Sequence, residues 1–283
     1  MTANPDGTEM LKVLITVKTY PIPSAKYDEL VCTAGVTEGG DFIRLYPINF
    51  RDLPFSQQYK KYQWIEVMAR KHQGFDSRKE SYRPDTDTIQ IIGKPIPSNP
   101  GNWGERARYA LAKNVRSMEE LYDQQKADKT SLGVFKPKKV HDLEISDDDP
   151  DWKPGFKAAL QQMRLWEDRT VSKEPPRKVP FKFHYRFECD DARCNRRHRM
   201  MIEDWEVGAL FWRLVDNGRS HRDAAEEVKN KFLRELCGPD KDTYFFVGTI
   251  LAYPKSWVVV GVFYPKVQPL DTPTSEGPTL FDL

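Results

Sequence analysis

The chain predicts an α+β protein: a small antiparallel β-barrel, a helical insertion, a second β unit, and a C-terminal helix pair closed by a β-hairpin. Three observations point there. Five short strand-like runs fall between Lys12 and Ile96 with no helical period strong enough for a βαβ crossover. A helical period takes over in 102–126 and again after residue 199. Two runs rich in β-branched and aromatic residues follow near the end, apolar on both faces, and such a pair has to be buried.

The strands come first. Lys12–Tyr20 alternates Val13, Ile15 and Val17 on one side against Lys12, Leu14, Thr16 and Lys18 on the other, and Pro21 and Pro23 stop it. Leu30–Val36 and Asp41–Pro47 read as a hairpin joined by Glu38-Gly39-Gly40, where glycine supplies the positive φ of the turn. Trp64–His72 and Thr88–Ile96 give the fourth and fifth strands, and residues 1–10 read as a disordered lead-in. One or two helices are expected in Asn102–Lys126, and strand character returns around Val140, Leu143 and Ile145. Phe156–Trp166 is open between helix and strand, and Ser172–Pro180 reads as an extended linker.

Arg199–Val215 reads as a helix with Val207, Leu210, Phe211 and Leu214 on its core face, ended by Asn217 and Gly218. Ser220 is placed as the N-cap of a second helix, three residues before Asp223. The hairpin pairs TYFFVGTILA with SWVVVGVFY around Tyr253-Pro254-Lys255, and the tail after residue 266 reads as unfolded.

Composition bounds the partners. Apolar residues make up 39% of the 283 and charged residues 30%, which is globular rather than disordered. No apolar run is long enough to span a membrane and the N-terminus lacks a signal-peptide layout, so a cytoplasmic protein with no membrane partner is expected. The 44 bases and 42 acids nearly cancel, so only local clustering can mark a partner. Four cysteines in this length are not a disulfide scaffold.

The segment Lys178–Gly218 gathers the chemistry. Cys189, Cys194 and His198 stand at C-x4-C-x3-H spacing, three of the four N or S ligands a tetrahedral zinc requires, with Cys237, His221 and His184 as candidates for the fourth. The bland alternative is two half-buried thiols and a surface histidine. Within Lys178–Arg199 seven bases outnumber three acids, a basic edge that favours nucleic acid. His198, Asp204 and Glu206 suggest a metal-dependent nuclease, but on one helix they diverge around the axis, and acids complementing a helix N-terminus are the simpler account. No catalytic residue is assigned.

Bases interleaved with aromatic rings carry the binding expectation: Lys18 with Tyr20, Arg44 with Tyr46, Lys71, Arg78, and the run Lys136, Lys138 and Lys139. The cations would neutralise phosphate and the rings would stack on bases of DNA or RNA. The reading requires these groups to converge on one electropositive face. A pure protein-interaction adaptor is the remaining alternative. The terminal GPTLFDL is similar to peptides that bind the bacterial sliding clamp, without their usual leading glutamine; a frayed end is the simpler account.

The stretches KVLITVKTYPIPSAKYDELVCTAGV, FIRLYP, LGVFKPKKV and RFECDDARCNRRHRMMIEDWE together resemble uncharacterised bacterial dual-OB-domain proteins associated with defence islands and mobile elements. The resemblance implies two OB-like barrels and a role in sensing or holding nucleic acid; it transfers no catalytic residue. With it, the expected division is an OB-like barrel at 11–97, a helical insertion at 98–130, a second OB-like unit at 131–190, the knuckle, helix pair and hairpin at 191–266, and a disordered tail at 267–283. The expected function is a non-enzymatic nucleic-acid-binding accessory protein of such a system.

Overall fold

The computed structural model describes residues 7–24, 28–72, 74, 76–98, 103–154 and 175–267. The expectations for Phe156–Trp166 and for the tail beyond 267 lie outside these residues.

The N-terminal strands are β1 (Thr8–Lys18), β2 (Ile22–Ser24), β3 (Asp28–Val36), β4 (Phe42–Ile48), β5 (Trp64–Lys71), β6 (Ser81–Pro84) and β7 (Gln90–Ile92). Five of them close a barrel: β1 pairs β3, β3 pairs β4, β4 runs parallel to β6, β6 pairs β5, and β5 returns to β1. Counting barrel strands only, the order is first, second, third, fifth, fourth and back to first. That is an OB-like barrel, and closure leaves none of the five with an open edge. Leu11, Val13 and Ile15 fill its interior with Ile43, Leu45 and Val67, as the alternation in β1 predicts, but a register shift between Ile15 and Val17 turns Val17, expected on the same side, outward with Leu14.

Two expectations are corrected here. The lead-in ends sooner than expected, because Thr8–Met10 belong to β1 and pair with Arg70–Met68 of β5. The closing strand β6 has no sequence signature: SYRP is short and polar, and holds its place because the barrel needs one strand between β4 and β5.

Two helices follow, α1 (Trp103–Ala110) and α2 (Met118–Asp128), the second capped by Ser117 accepting from the Glu120 amide. Then come β8 (Leu132–Phe135), β9 (Lys139–Asp147), β10 (Phe181–Glu188), β11 (His198–Met201), α3 (Trp205–Asp216), α4 (His221–Lys229, continued by a π-turn over Asn230–Glu235), β12 (Tyr244–Ile250) and β13 (Tyr253–Phe263). They build two three-stranded sheets, β11-β10-β9 and β13-β12-β8.

The helix expected to begin at Arg199 begins at Trp205 instead. Arg199–Met201 hydrogen-bond to β10 as a strand, and Asp204 caps α3 by accepting the Glu206 amide at 3.0 Å. The hairpin turns at Leu251–Ala252, with Tyr253–Lys255 already in β13. Ser220 caps α4 as expected, accepting from Asp223 N.

Leu14, Val17, Ala34 and Val36 point outward from the barrel and pack on Val134, Phe246, Val258 and Val260 of the β13-β12-β8 sheet. A second core lies among β10, β12, α3 and α4 around Phe183, Tyr185, Phe211, Val228 and Phe245. Among the described residues no helix is long and apolar enough to cross a membrane.

Candidate functional site

A cleft of about 330 Å³ opens where the β3–β4 face of the barrel meets the β12–β13 hairpin. Its apolar walls come from Val17, Ala34, Leu132, Val258 and Val260. Its polar lining comes from Arg44, Tyr46, Arg78, Glu203 and Thr249. A Cβ at Gly248 would stand 3.1 Å from Leu132 and 3.4 Å from Arg44 Nη2, so the hairpin lies close against both.

Arg44 rises from β4 and is 1% exposed. Its Nη1 donates to Ser131 Oγ at 2.6 Å and Ser81 Oγ at 3.3 Å, and its Nη2 donates to the Ser131 carbonyl at 2.9 Å. Ser131 in turn donates its hydroxyl and amide to the buried carboxylate of Glu80, at 2.6 and 3.0 Å. The Arg44 Nε–H has no partner among the described residues. Arg78 reaches across to the hairpin, donating to the Thr249 carbonyl at 3.0 Å while both its other nitrogens bind Asp76. Burial alone would raise the Asp76 carboxyl, but the hydrogen bonds and charge of Arg78 outweigh it and hold the group at about 2. Thr249 Oγ1 is buried without a partner among the described residues.

Glu203 also lines the cleft. Its backbone is fixed between the two halves of the chain, its amide donating to Val259 O at 2.8 Å and its carbonyl accepting from Tyr20 N at 3.1 Å. Burial pushes its carboxyl up, with no charged neighbour contributing. A second cavity of about 200 Å³, lined by Tyr20, Trp152 and Phe181, shares Ile22 and Glu203 with the first.

The structure brings three of the predicted contact residues, Arg44, Tyr46 and Arg78, to this cleft, and it changes what they can do. Arg44 and Arg78 spend their charge inside the protein, so neither is free to neutralise a phosphate. Tyr20 is no open platform: its hydroxyl donates to Arg177 O at 2.9 Å, and its ring lies so close to Gly208 that a Cβ there would be 2.2 Å away. Lys18 points into a box of Phe50, Trp205 and Tyr59, 3.9 Å from the first ring centroid and 4.9 Å from the second, and burial lowers it to about 8. Lys71 donates to the Lys79 carbonyl and sits over Tyr82, and Lys136 pairs with Asp242. Lys138 and Lys139 are exposed and carry no ion pair among the described residues.

The basic edge of Lys178–Arg199 is also paired. Lys178 and Lys182 share Asp148; Arg186 and Arg199 share Glu144. Arg193, Arg196 and Arg197 bind Asp123, Glu119 and Glu188. These positive groups therefore alternate with carboxylates and form no continuous electropositive track.

The Cys/His triplet does assemble. His198 Nε2 lies 3.2 Å from Cys189 Sγ and 3.1 Å from Cys194 Sγ, and the three ligand atoms all fall within 4.8 Å of one another, a spacing one metal ion could gather. Phe187 stacks on His198 at 4.9 Å, and the Met118 amide donates to Cys189 Sγ at 3.4 Å. With no ion counted, burial pushes the Cys189 thiol up to about 12 and His198 down. None of the three nominated fourth ligands joins the group. Cys237 donates to Phe232 O, His221 packs on Phe211 and Trp212, and His184 stands in β10 opposite Met201.

His198 does not meet Asp204 and Glu206. Asp204 is instead clamped by Lys61 Nζ at 2.8 and 2.7 Å, with Glu206 at 3.5 Å from the same ammonium. Glu203 and Thr249 escaped the sequence reading. Glu203 looked like one more acid ahead of a helix, and Thr249 like an ordinary strand residue; nothing in their local pattern announces a cleft made by segments two hundred residues apart.

Residues 114–282 match a family model described as a domain of unknown function (DUF8757), and residues 9–112 match a second such domain (DUF8758). No curated protein matches the chain. Solved structures with some likeness include a murine DNA binding protein bound with double-stranded DNA, at 10% identity and a TM-score of 0.32, covering 93% of this chain and 99% of that one. A likeness that loose carries no argument.

Proposed function

We propose that the chain, which by these matches belongs to the DUF8757 family, is a non-enzymatic nucleic-acid-binding protein that takes an unpaired base of a DNA or RNA strand into the cleft over β3 and β4. The observation that carries the reading is the position of the cleft. It lies on the second and third barrel strands, the face on which OB-type barrels hold oligonucleotides. Tyr46, which is partly exposed, is among the residues that line it. The resemblance to dual-OB-domain proteins of defence islands and mobile elements supplies the cellular setting of this proposal.

Binding should rest on stacking and hydrogen bonds rather than on a basic track. Titration of a fluorescent single-stranded oligonucleotide tests it: Tyr46→Ala should weaken binding by roughly 5- to 100-fold, the worth of about one stacked base. Affinity should fall with salt only as if one or two phosphates were neutralised, a log–log slope of about −1. Absence of binding by the unaltered protein at low salt, or indifference to Tyr46→Ala, defeats the proposal.

The Cys189–Cys194–His198 triplet fits a zinc ion held for structure. Its donors are two sulfurs and an imidazole beside a buried ring. About one zinc per purified chain, lost in Cys194→Ser, is the expected result; a metal-free protein of undiminished stability argues for plain burial of the thiols.

A further inference from the structure

The Cys/His knuckle is packed against the first turn of α2, and that contact supplies what the triplet lacks. Three donors leave one corner of a zinc tetrahedron to be filled. Ser117 caps α2, and the Met118 amide, one of the free donors at the helix N-terminus, is spent on Cys189 Sγ at 3.4 Å. The positive end of the helix is thereby set on a sulfur that must be an anion to bind metal. The next residue is Glu119, whose side chain is 22% exposed. Its Oε1 accepts from Arg196 Nη2 at 2.9 Å, and Arg196 stands in the loop between Cys194 and His198. Burial dominates the state of both Cys189 and His198, but the charge of Glu119 acts on each of them, so its carboxylate lies near two of the ligands at once. The second oxygen, Oε2, has no hydrogen bond or ion pair among the described residues. The neighbouring acid Asp191 is already occupied: it accepts from Ser117 Oγ at 2.7 Å, and Arg193 donates to both of its oxygens.

We infer, resting on the zinc reading above, that Glu119 is the fourth ligand: Oε2 closes the tetrahedron begun by Cys189, Cys194 and His198 while Oε1 stays on Arg196. A carboxylate oxygen serves zinc beside sulfur and imidazole nitrogen, and a ligating carboxylate is characteristically held by a hydrogen-bond donor of its own. Charge favours the assignment. Two thiolates neutralise a zinc dication, the carboxylate takes the site to minus one, and the Arg196 guanidinium beside it restores neutrality. Glu119 lies outside the group of ligand atoms already within 4.8 Å of one another, so the step that completes the site is a rotation of this one partly exposed side chain. The ion would then tie α2 to the loop between β10 and β11, the two elements that the Met118 amide and the Glu119–Arg196 pair already hold together.

The test uses cobalt(II), whose visible bands report thiolate ligation and coordination number, added to the full chain after treatment with a chelator. The parent chain should bind one ion, and its spectrum should not move when azide is added, because a closed site has no exchangeable position. Glu119→Ala should bind cobalt and zinc roughly 10- to 100-fold more weakly. Its cobalt spectrum should shift with azide, because water takes the fourth corner and can be displaced. Arg196→Ala, which removes the support and keeps the donor, should weaken binding less and leave the spectrum indifferent to azide. A parent spectrum that azide shifts overturns the assignment of Glu119 and leaves the zinc site standing. So does a Glu119→Ala chain that binds as tightly as the parent, or one that binds more weakly and shows no azide response. A parent chain that takes up neither cobalt nor zinc removes the zinc reading, and this inference with it.

Discussion

Lys61→Met should cost this protein a large share of its stability. Lys61 lies in the barrel just ahead of β5, and Asp204 opens α3 in the other half of the chain. The ammonium contacts both carboxylate oxygens at 2.7–2.8 Å, with the two side chains 12% and 1% exposed. Removing one partner of a buried pair costs about 3–5 kcal/mol, because the remaining charge stays out of water without compensation. Lys61 keeps some contact with solvent and Asp204 keeps its bond to the Glu206 amide. The low end, about 3 kcal/mol, is therefore the better figure, and at 2–4 °C per kcal/mol it corresponds to a fall in Tm of roughly 6–12 °C. Urea unfolding of the two single variants and the double variant is the assay. Asp204→Asn retains an N-capping side chain, so its loss isolates the charge. In the Lys61→Met/Asp204→Asn chain the penalties should overlap by about 1–3 kcal/mol, since no uncompensated ion is left behind. A single-variant cost below about 1 kcal/mol, or strict additivity, would show that the pair is solvated and that this reasoning is wrong.

Other consequences are as direct. Asp76, held at about 2 by Arg78, binds its proton later in the folded chain than in the unfolded one. It therefore contributes about 2 kcal/mol that is present above pH 4 and is lost as pH falls toward 2; Asp76→Asn should remove that difference at pH 7 and match the parent near pH 2 in urea titrations. Gly208→Ala puts a methyl 2.2 Å from the Tyr20 ring and should destabilise by about 1–3 kcal/mol, with partial recovery when Tyr20→Ala is added; an unchanged Tm would mean the ring moves freely. Lys18→Met should lose the rise in stability expected between about pH 8 and pH 10.5, because the folded chain sheds that proton first and the unfolded one later. Equal pH profiles for parent and variant would deny the aromatic box its effect.

The barrel was legible because its signal is local. Alternation in β1 as far as Ile15 and the glycine turn between β3 and β4 follow from neighbours a few residues apart, whereas the bulge that turns Val17 outward left no local mark. The hairpin β12–β13 was legible from composition alone, and the cap at Ser220 from a three-residue spacing. What escaped depends on distant partners. β6 is a strand because β4 and β5 leave room for it, and Arg199–Met201 are a strand because β10 offers them an edge, although their sequence merges smoothly into a helical period. The triplet Cys189, Cys194 and His198 was visible as spacing, yet no fourth ligand followed, because Cys237 and His221 face other packing.

The charge reading illustrates the same limit more sharply. Counting bases and acids along Lys178–Arg199 leaves an excess of four positive charges. In three dimensions that excess is met by Asp148 and Glu144 from β9 and its end, and by Glu119 and Asp123 from α2, none of which lies in the counted window. Exposed pairs of this kind contribute little to stability, so what they chiefly do is cancel a long-range field. A surface so neutralised gains little from counterion release, and a strand has no electrostatic reason to settle there. The cleft between the β3–β4 face and the hairpin offers instead a concave, largely apolar lining in which Arg44 and Arg78 are already held by other groups of the chain. On the proposed reading, recognition there depends on stacking and shape rather than on charge, so a salt titration that gives a steep slope would argue against this cleft as the site.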